Sequence, residues 1–73
     1  MRNAEVIRQW KILKRIEKSR YVTASDLALE HEVALRTIRR DIEALQEAGF
    51  PLYDDKEGGR KVWRLLEGYS QKA

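Results

Sequence analysis

The stretch TASDLALEHEVALRTIRRDIEALQEAG, Thr23 to Gly49, decides the architecture. Thr23 opens it as an N-cap: its hydroxyl can accept a free backbone N–H, and Asp26 three positions on completes a variant capping box. Ala24, Leu27, Ala28 and His31 then share one helical face, which predicts a short helix over Ala24–His31. After a brief break at Glu32-Val33, Ile38, Ile42 and Leu45 form the buried stripe of a further helix, from about Leu35 to Ala48. Gly49 ends that helix as a left-handed capping residue, and Pro51 stands just beyond it as a stop.

Working outward, Ala4 to Lys18 reads as a first helix. Val6, Trp10, Leu13 and Ile16 fall on one stripe, and Arg8, Lys11, Lys14, Arg15 and Lys18 fall on a solvent-facing one. This helix should stop near Ser19-Arg20, because Tyr21 and Val22 favour an extended backbone and can add a rung to a sheet. Downstream, Leu52–Asp54 and Lys61–Leu66 read as strands, with Gly58-Gly59 supplying the positive φ of a hairpin turn. Leu52, Val62, Trp63 and Leu65 offer apolar contacts, and both Trp10 and Trp63 are expected in the core. His31, aligned with Leu27, is expected to be partly buried. The resulting order is helix, short strand, helix, tight turn, helix, hairpin. The fold class is therefore mainly α with a small β-hairpin: a winged helix-turn-helix of three helices and a two- or three-stranded antiparallel wing sheet. Residues 1–66 form one domain, and residues 67–73 are expected to be a flexible tail or the start of a linker.

Composition narrows the function. A chain of 73 residues buries only about 60% of the surface its unfolded form exposes, which leaves no room for an enclosed active site. It has no cysteine and one histidine, so no thiolate or multi-histidine metal site is expected. There is no phosphate loop and no paired set of carboxylates in a plausible cleft, which argues against an enzyme. No cofactor and no small-molecule site is expected within the domain. No apolar run approaches the length of a membrane span, and Met1 to Arg8 has no signal-peptide character. A cytoplasmic, nucleoid-associated location fits these features.

Net charge is only +3, yet the charges are segregated. Residues 2–20 carry seven basic and two acidic groups, whereas residues 21–34 carry only the acids Asp26, Glu30 and Glu32. In the third helix, with the buried stripe at zero, Arg36 projects at about 160°, Arg40 at about 200° and Arg39 at about 100°. Thr37 occupies the other shoulder, while Glu43 and Glu47 lie further along the outward face and would repel phosphate. Only the N-terminal half of this helix therefore suits a DNA major groove, which is how recognition helices dock. The planar guanidinium can bond both acceptors of a guanine edge or grip a phosphate. Pairing of Arg39 and Arg40 with Glu43 is the competing arrangement. Arg60 and Lys61 follow the wing's glycines and can reach a phosphate or the minor groove, with Asp54, Asp55 and Glu57 opposite to neutralise them. Arg8, near the start of the first helix, is a further candidate phosphate contact.

Val33 to Leu45, VALRTIRRDIEAL, resembles the recognition region of DeoR-type winged helix-turn-helix regulators. The continuation QEAGFPLYDDKEGGRKVWRL, Gln46 to Leu65, is similar to the N-terminal module of WYL-domain transcriptional regulators. In that WYL-associated module, as in this sequence, an R-T-x-x-R-D helix is followed by A-G-x-P, a Gly-rich wing and an aromatic-Arg-Leu strand. Upstream, VTASDLA resembles that family's second helix, so the likeness covers about Arg8 to Leu66. It implies sequence-specific binding of double-stranded DNA in bacterial transcription regulation, usually as a homodimer, with Arg36, Thr37 and Arg40 as contacts. Two departures matter. Ala34 stands where a serine is common, removing an N-cap, and Leu35 replaces a polar residue and offers an apolar contact, as to a thymine methyl. The effector domain expected after the wing has no counterpart in these residues, as in an excised domain or a naturally short protein. A winged-helix protein-interaction module without DNA binding is the alternative, favoured by surface leucines such as Leu29 and Leu35. RNA binding lacks an aromatic stacking platform.

Overall fold

In a computed structural model, which describes residues 3–19 and 21–66, α1 spans Asn3–Lys18, α2 Ala24–His31 and α3 Leu35–Glu47. An antiparallel hairpin follows, β1 (Leu52–Glu57) with β2 (Arg60–Leu65). Arg20, at the expected end of the first helix, and residues 67–73, the expected tail, lie outside the described residues.

Local capping chemistry sets the start of α2. Thr23 Oγ1 accepts a hydrogen bond from the Asp26 backbone N–H, and Asp26 Oδ2 accepts one from the Thr23 N–H, both at 3.0 Å. The Thr23 backbone bond is the main cause holding the Asp26 carboxyl below the ordinary carboxylate range, and Arg60 and Arg15 add attraction. The N-cap of α3 is Ala34, whose methyl can make no such bond.

The two helices of the turn end in the same way. In α3, Gly49 N–H donates to Gln46 O at 3.0 Å and Phe50 N–H to Leu45 O at 3.1 Å. With Gly49 at φ 108, this is a Schellman cap. In α2, Glu32 N–H donates to Leu29 O at 3.3 Å and Val33 N–H to Ala28 O at 3.1 Å. Here the left-handed position holds a glutamate at φ 55 and ψ 46. Val33 and Phe50, one residue past each cap, both pack against the core.

That core joins Ile12, Leu13 and Ile16 of α1 with Val22, Leu27, the α3 residues Ile38, Ile42 and Leu45, and Leu52. Val62 is buried outside this cluster, while Trp63 and Leu65 are partly buried against it. His31 is half-buried. The first helix is rotated from the expected stripe: Val6 and Trp10 are 48% and 53% exposed, and Ile12 is fully buried. Trp10 is thus not a core residue; its ring meets that of Phe50 edge-on, ring centres 6.1 Å apart at 74°.

Gly58 and Gly59, at φ 60 and 80, make a two-residue turn with positive φ at both positions, which matches the twist of the flanking strands. The turn is tight enough to pair Glu57 with Arg60. β1 therefore extends to Glu57 rather than stopping at Asp54, and β2 begins at Arg60. The sheet has two strands, and Val22 adds one rung through Trp63 N–H donating to Val22 O at 2.9 Å. Gln46 Nε2 donates to Leu52 O at 3.0 Å, fixing the base of the hairpin to α3. No helix among the described residues is long and apolar enough to cross a membrane.

Candidate nucleic-acid interface

The buried stripe of α3 turns its other side outward. Arg36, Arg39 and Arg40 are exposed, and Leu35 and Thr37 are half-buried beside them. Among the described residues none of these three arginines has a carboxylate within 4.0 Å. The alternative pairing of Arg39 and Arg40 with Glu43 is therefore not formed. Three guanidinium groups stand over the first two turns of one helix with their donors open to a ligand.

The hairpin lies alongside this helix and leaves a groove of about 550 Å³ between them. Leu35, Arg39 and Gln46 form the α3 wall, and Arg60, Lys61 and Trp63 form the β2 wall. Thr23, Ala24 and Ser25 at the start of α2, with Ile42 and Glu43 of α3, complete the lining, so the groove has cations on both walls and one carboxylate among them. The wing's acids are answered mainly by a residue not singled out in the sequence. Arg64 Nη2 donates to Glu57 Oε1 at 3.0 Å, and Arg64 Nε lies 3.3 Å from Asp55 Oδ2 without hydrogen-bonding geometry. Lys61 Nζ is 3.8 Å from Asp54 Oδ2, an exposed and weak pair. Arg60 has no ion pair among the described residues, although its field reaches Asp26.

Arg8 is placed differently from its expected solvent-facing position. Its Nε and Nη2 donate to the two carboxylate oxygens of Asp41, the latter at 3.1 Å to Oδ1. Gln9 Nε2 donates to the same Oδ1 at 3.1 Å. Asp41 is 2% exposed, so a carboxylate there requires a charged partner, and Arg8 is the cation within reach. The hydrogen bond to Asp41 raises the Arg8 pKa, against the lowering effect of burial. One signal in the sequence marks this cluster: Asp41 lies three positions after Ile38 and next to Ile42, on an otherwise apolar stripe. Arg15, also expected to face solvent alone, grips Glu30 of α2 with Nη2 to Oε2 at 2.8 Å. Lys11, Lys14 and Lys18 are exposed.

Among the described residues no group of three or more His, Cys, Asp or Glu side chains is arranged to hold a metal ion. Three helices with a two-stranded antiparallel sheet, the third helix presenting arginines beside the hairpin, define a winged helix-turn-helix. A family model described as an HTH domain matches residues 8–60, and the chain belongs to that helix-turn-helix family of DNA-binding domains, which is not typically enzymatic. Comparison with curated proteins and with solved structures returned no match.

Proposed function

We propose that this chain binds double-stranded DNA sequence-specifically, as a module of bacterial transcription regulation acting in the cytoplasm at the nucleoid. The N-terminal half of α3 enters the major groove, and the wing, residues 55–61, lies on the backbone or in the minor groove. The observation that carries this proposal is the exposed set Arg36, Arg39 and Arg40 on one helix, without an ion pair among the described residues, with Arg39 lining one groove together with Arg60 and Lys61. Arg36 and Arg40 read base edges; Thr37 and Leu35 supply a hydroxyl and an apolar contact beside them. Arg39, Arg60 and Lys61 hold phosphates on either side of the groove. Arg8 is left out of the contact set because its Nε and Nη2 are engaged with Asp41, which holds the side chain against α3. The R-T-x-x-R-D and A-G-x-P motifs support a DeoR-type module, most like that of WYL-domain regulators, and with it a homodimer on two half-sites.

Titrating salt against affinity for a mixed-sequence duplex tests the proposal. About four to six phosphate contacts give a log–log slope of roughly −3 to −6. A flat response would favour the protein-interaction module instead. Leu29, 79% exposed, and the half-exposed Val6, Ile7 and Trp10 of α1 are the observations on that side.

A further inference from the structure

We propose that the partly buried cluster of Arg8, Gln9 and Asp41 is a positioning device: it fixes the rotation of α3 about its own axis and thereby sets how sharply the outward arginines discriminate between duplex sequences. This inference rests on the DNA-binding reading above.

Asp41 sits in the middle of α3, on the inward stripe that also carries Ile38, Ile42 and Leu45. For stability alone an apolar residue would serve there, since replacing a buried ion pair with well-packed apolar groups is often neutral or favourable. What an apolar contact lacks is direction, because burial of hydrocarbon is nearly indifferent to small rotations. The cluster supplies direction. The two nitrogens of the Arg8 fork reach both Asp41 oxygens, and the amide of the next residue, Gln9, takes Oδ1 as well. Consecutive residues of α1 thus hold one carboxylate of α3, Arg8 in the bidentate geometry that adds geometric specificity.

The outward arginines share this helix. Arg40 is the residue before Asp41, and Arg36 and Thr37 lie just over one turn back. At a helix surface radius of about 5–6 Å, a rotation of roughly 20° moves a side chain by about 2 Å. That is several times the width, about 0.5 Å, of the window of roughly 2.7–3.2 Å within which an N–H···O bond is made. Base readout by a guanidinium fork is lost at such a displacement. Attraction to phosphate, which is long-ranged, is not. The cluster therefore governs preference among sequences and leaves salt-dependent affinity for any duplex nearly untouched.

The test first enriches preferred duplexes from a randomised pool with the wild-type chain. Affinities for an enriched duplex and for a mixed-sequence duplex are then measured over several salt concentrations for the wild type, R8K and the double variant R8M/D41L, with thermal melts by circular dichroism. R8K keeps the charge but has no fork; R8M/D41L removes both charges together and leaves no buried carboxylate unpaired. The expected result is wild-type affinity and salt slope on mixed sequence for both variants. Their preference for the enriched duplex falls by about tenfold, the scale of one bidentate base contact. Full preference retained in either folded variant overturns the inference and makes the cluster a fold element only. Should R8M/D41L fail to fold, R8K decides alone on the same criterion. A wild-type chain that enriches no sequence overturns the DNA-binding reading, and this inference with it. Enrichment by the wild type with variants that match it overturns this inference alone.

Discussion

Replacing Glu32 with glycine should make this domain more stable. Glu32 closes α2 at φ 55 and ψ 46, in the left-handed region, with an exposed side chain. An L residue in that conformation costs roughly 1–2 kcal/mol. Glycine removes the cost but gives the unfolded chain extra freedom, worth about 0.4–1 kcal/mol. The net gain is about 0.5–1 kcal/mol, and in a domain of this size that raises Tm by about 2–8 °C. α3 offers the reverse experiment in the same chain, because Gly49 occupies the corresponding position of the same hydrogen-bonded cap at φ 108. A Cβ added at Gly49 would have nothing within 4 Å, so Gly49→Ala tests backbone conformation without a steric clash. It should destabilise by a similar amount. Urea unfolding followed by circular dichroism measures both, with an unchanged m-value showing that only stability has moved. Glu32→Gly with an unchanged or lower midpoint, beside a destabilised Gly49→Ala, would refute the claim that the turn between α2 and α3 is strained at Glu32.

Ala34→Ser places a hydroxyl at an N-cap already extended at φ −68 and ψ 152; the urea midpoint should rise by the equivalent of about 0.5–2 kcal/mol. Asp26 has a folded pKa below its unfolded value. Its contribution is complete above the unfolded value, about 3.9, and is lost as pH falls through the folded one. Asp26→Asn should therefore lower stability near neutrality and flatten the acid limb of the stability–pH curve, as read from Tm between pH 2 and 7. Arg36→Ala and Arg40→Ala should each cost about 1–3 kcal/mol on an enriched duplex if each reads a base. Arg60→Ala should instead weaken binding on all sequences and reduce the salt slope by about one. Fluorescence anisotropy measures all three, and unchanged affinity in both α3 variants would remove them from the interface.

Much of the candidate site is legible in the sequence because the helical period alone turns Arg36, Arg39 and Arg40 away from Ile38, Ile42 and Leu45. The first helix shows where that method fails. Its period places Val6, Trp10, Leu13 and Ile16 on one stripe, yet the face actually covered runs through Ile12, Leu13 and Ile16 and brings Arg8 and Gln9 to Asp41. Periodicity gives the width of an apolar arc; the neighbours decide which edge of it is covered. The same limit hides Arg64, whose role follows from strand register, with Asp55 and Glu57 brought within reach across the hairpin.

Thr23 with Asp26, Gly49 with Pro51, and the Gly58-Gly59 pair were enough to mark the start of α2, the end of α3 and the hairpin turn, because a cap or a tight turn is made by atoms only a few residues apart. The rotation of α1, the enclosure of Asp41 by Arg8 and Gln9, and the groove between α3 and the wing had to await the assembled molecule. They join residues from separate elements, and the relative placement of those elements is settled by packing of the whole core and not by any one segment of chain.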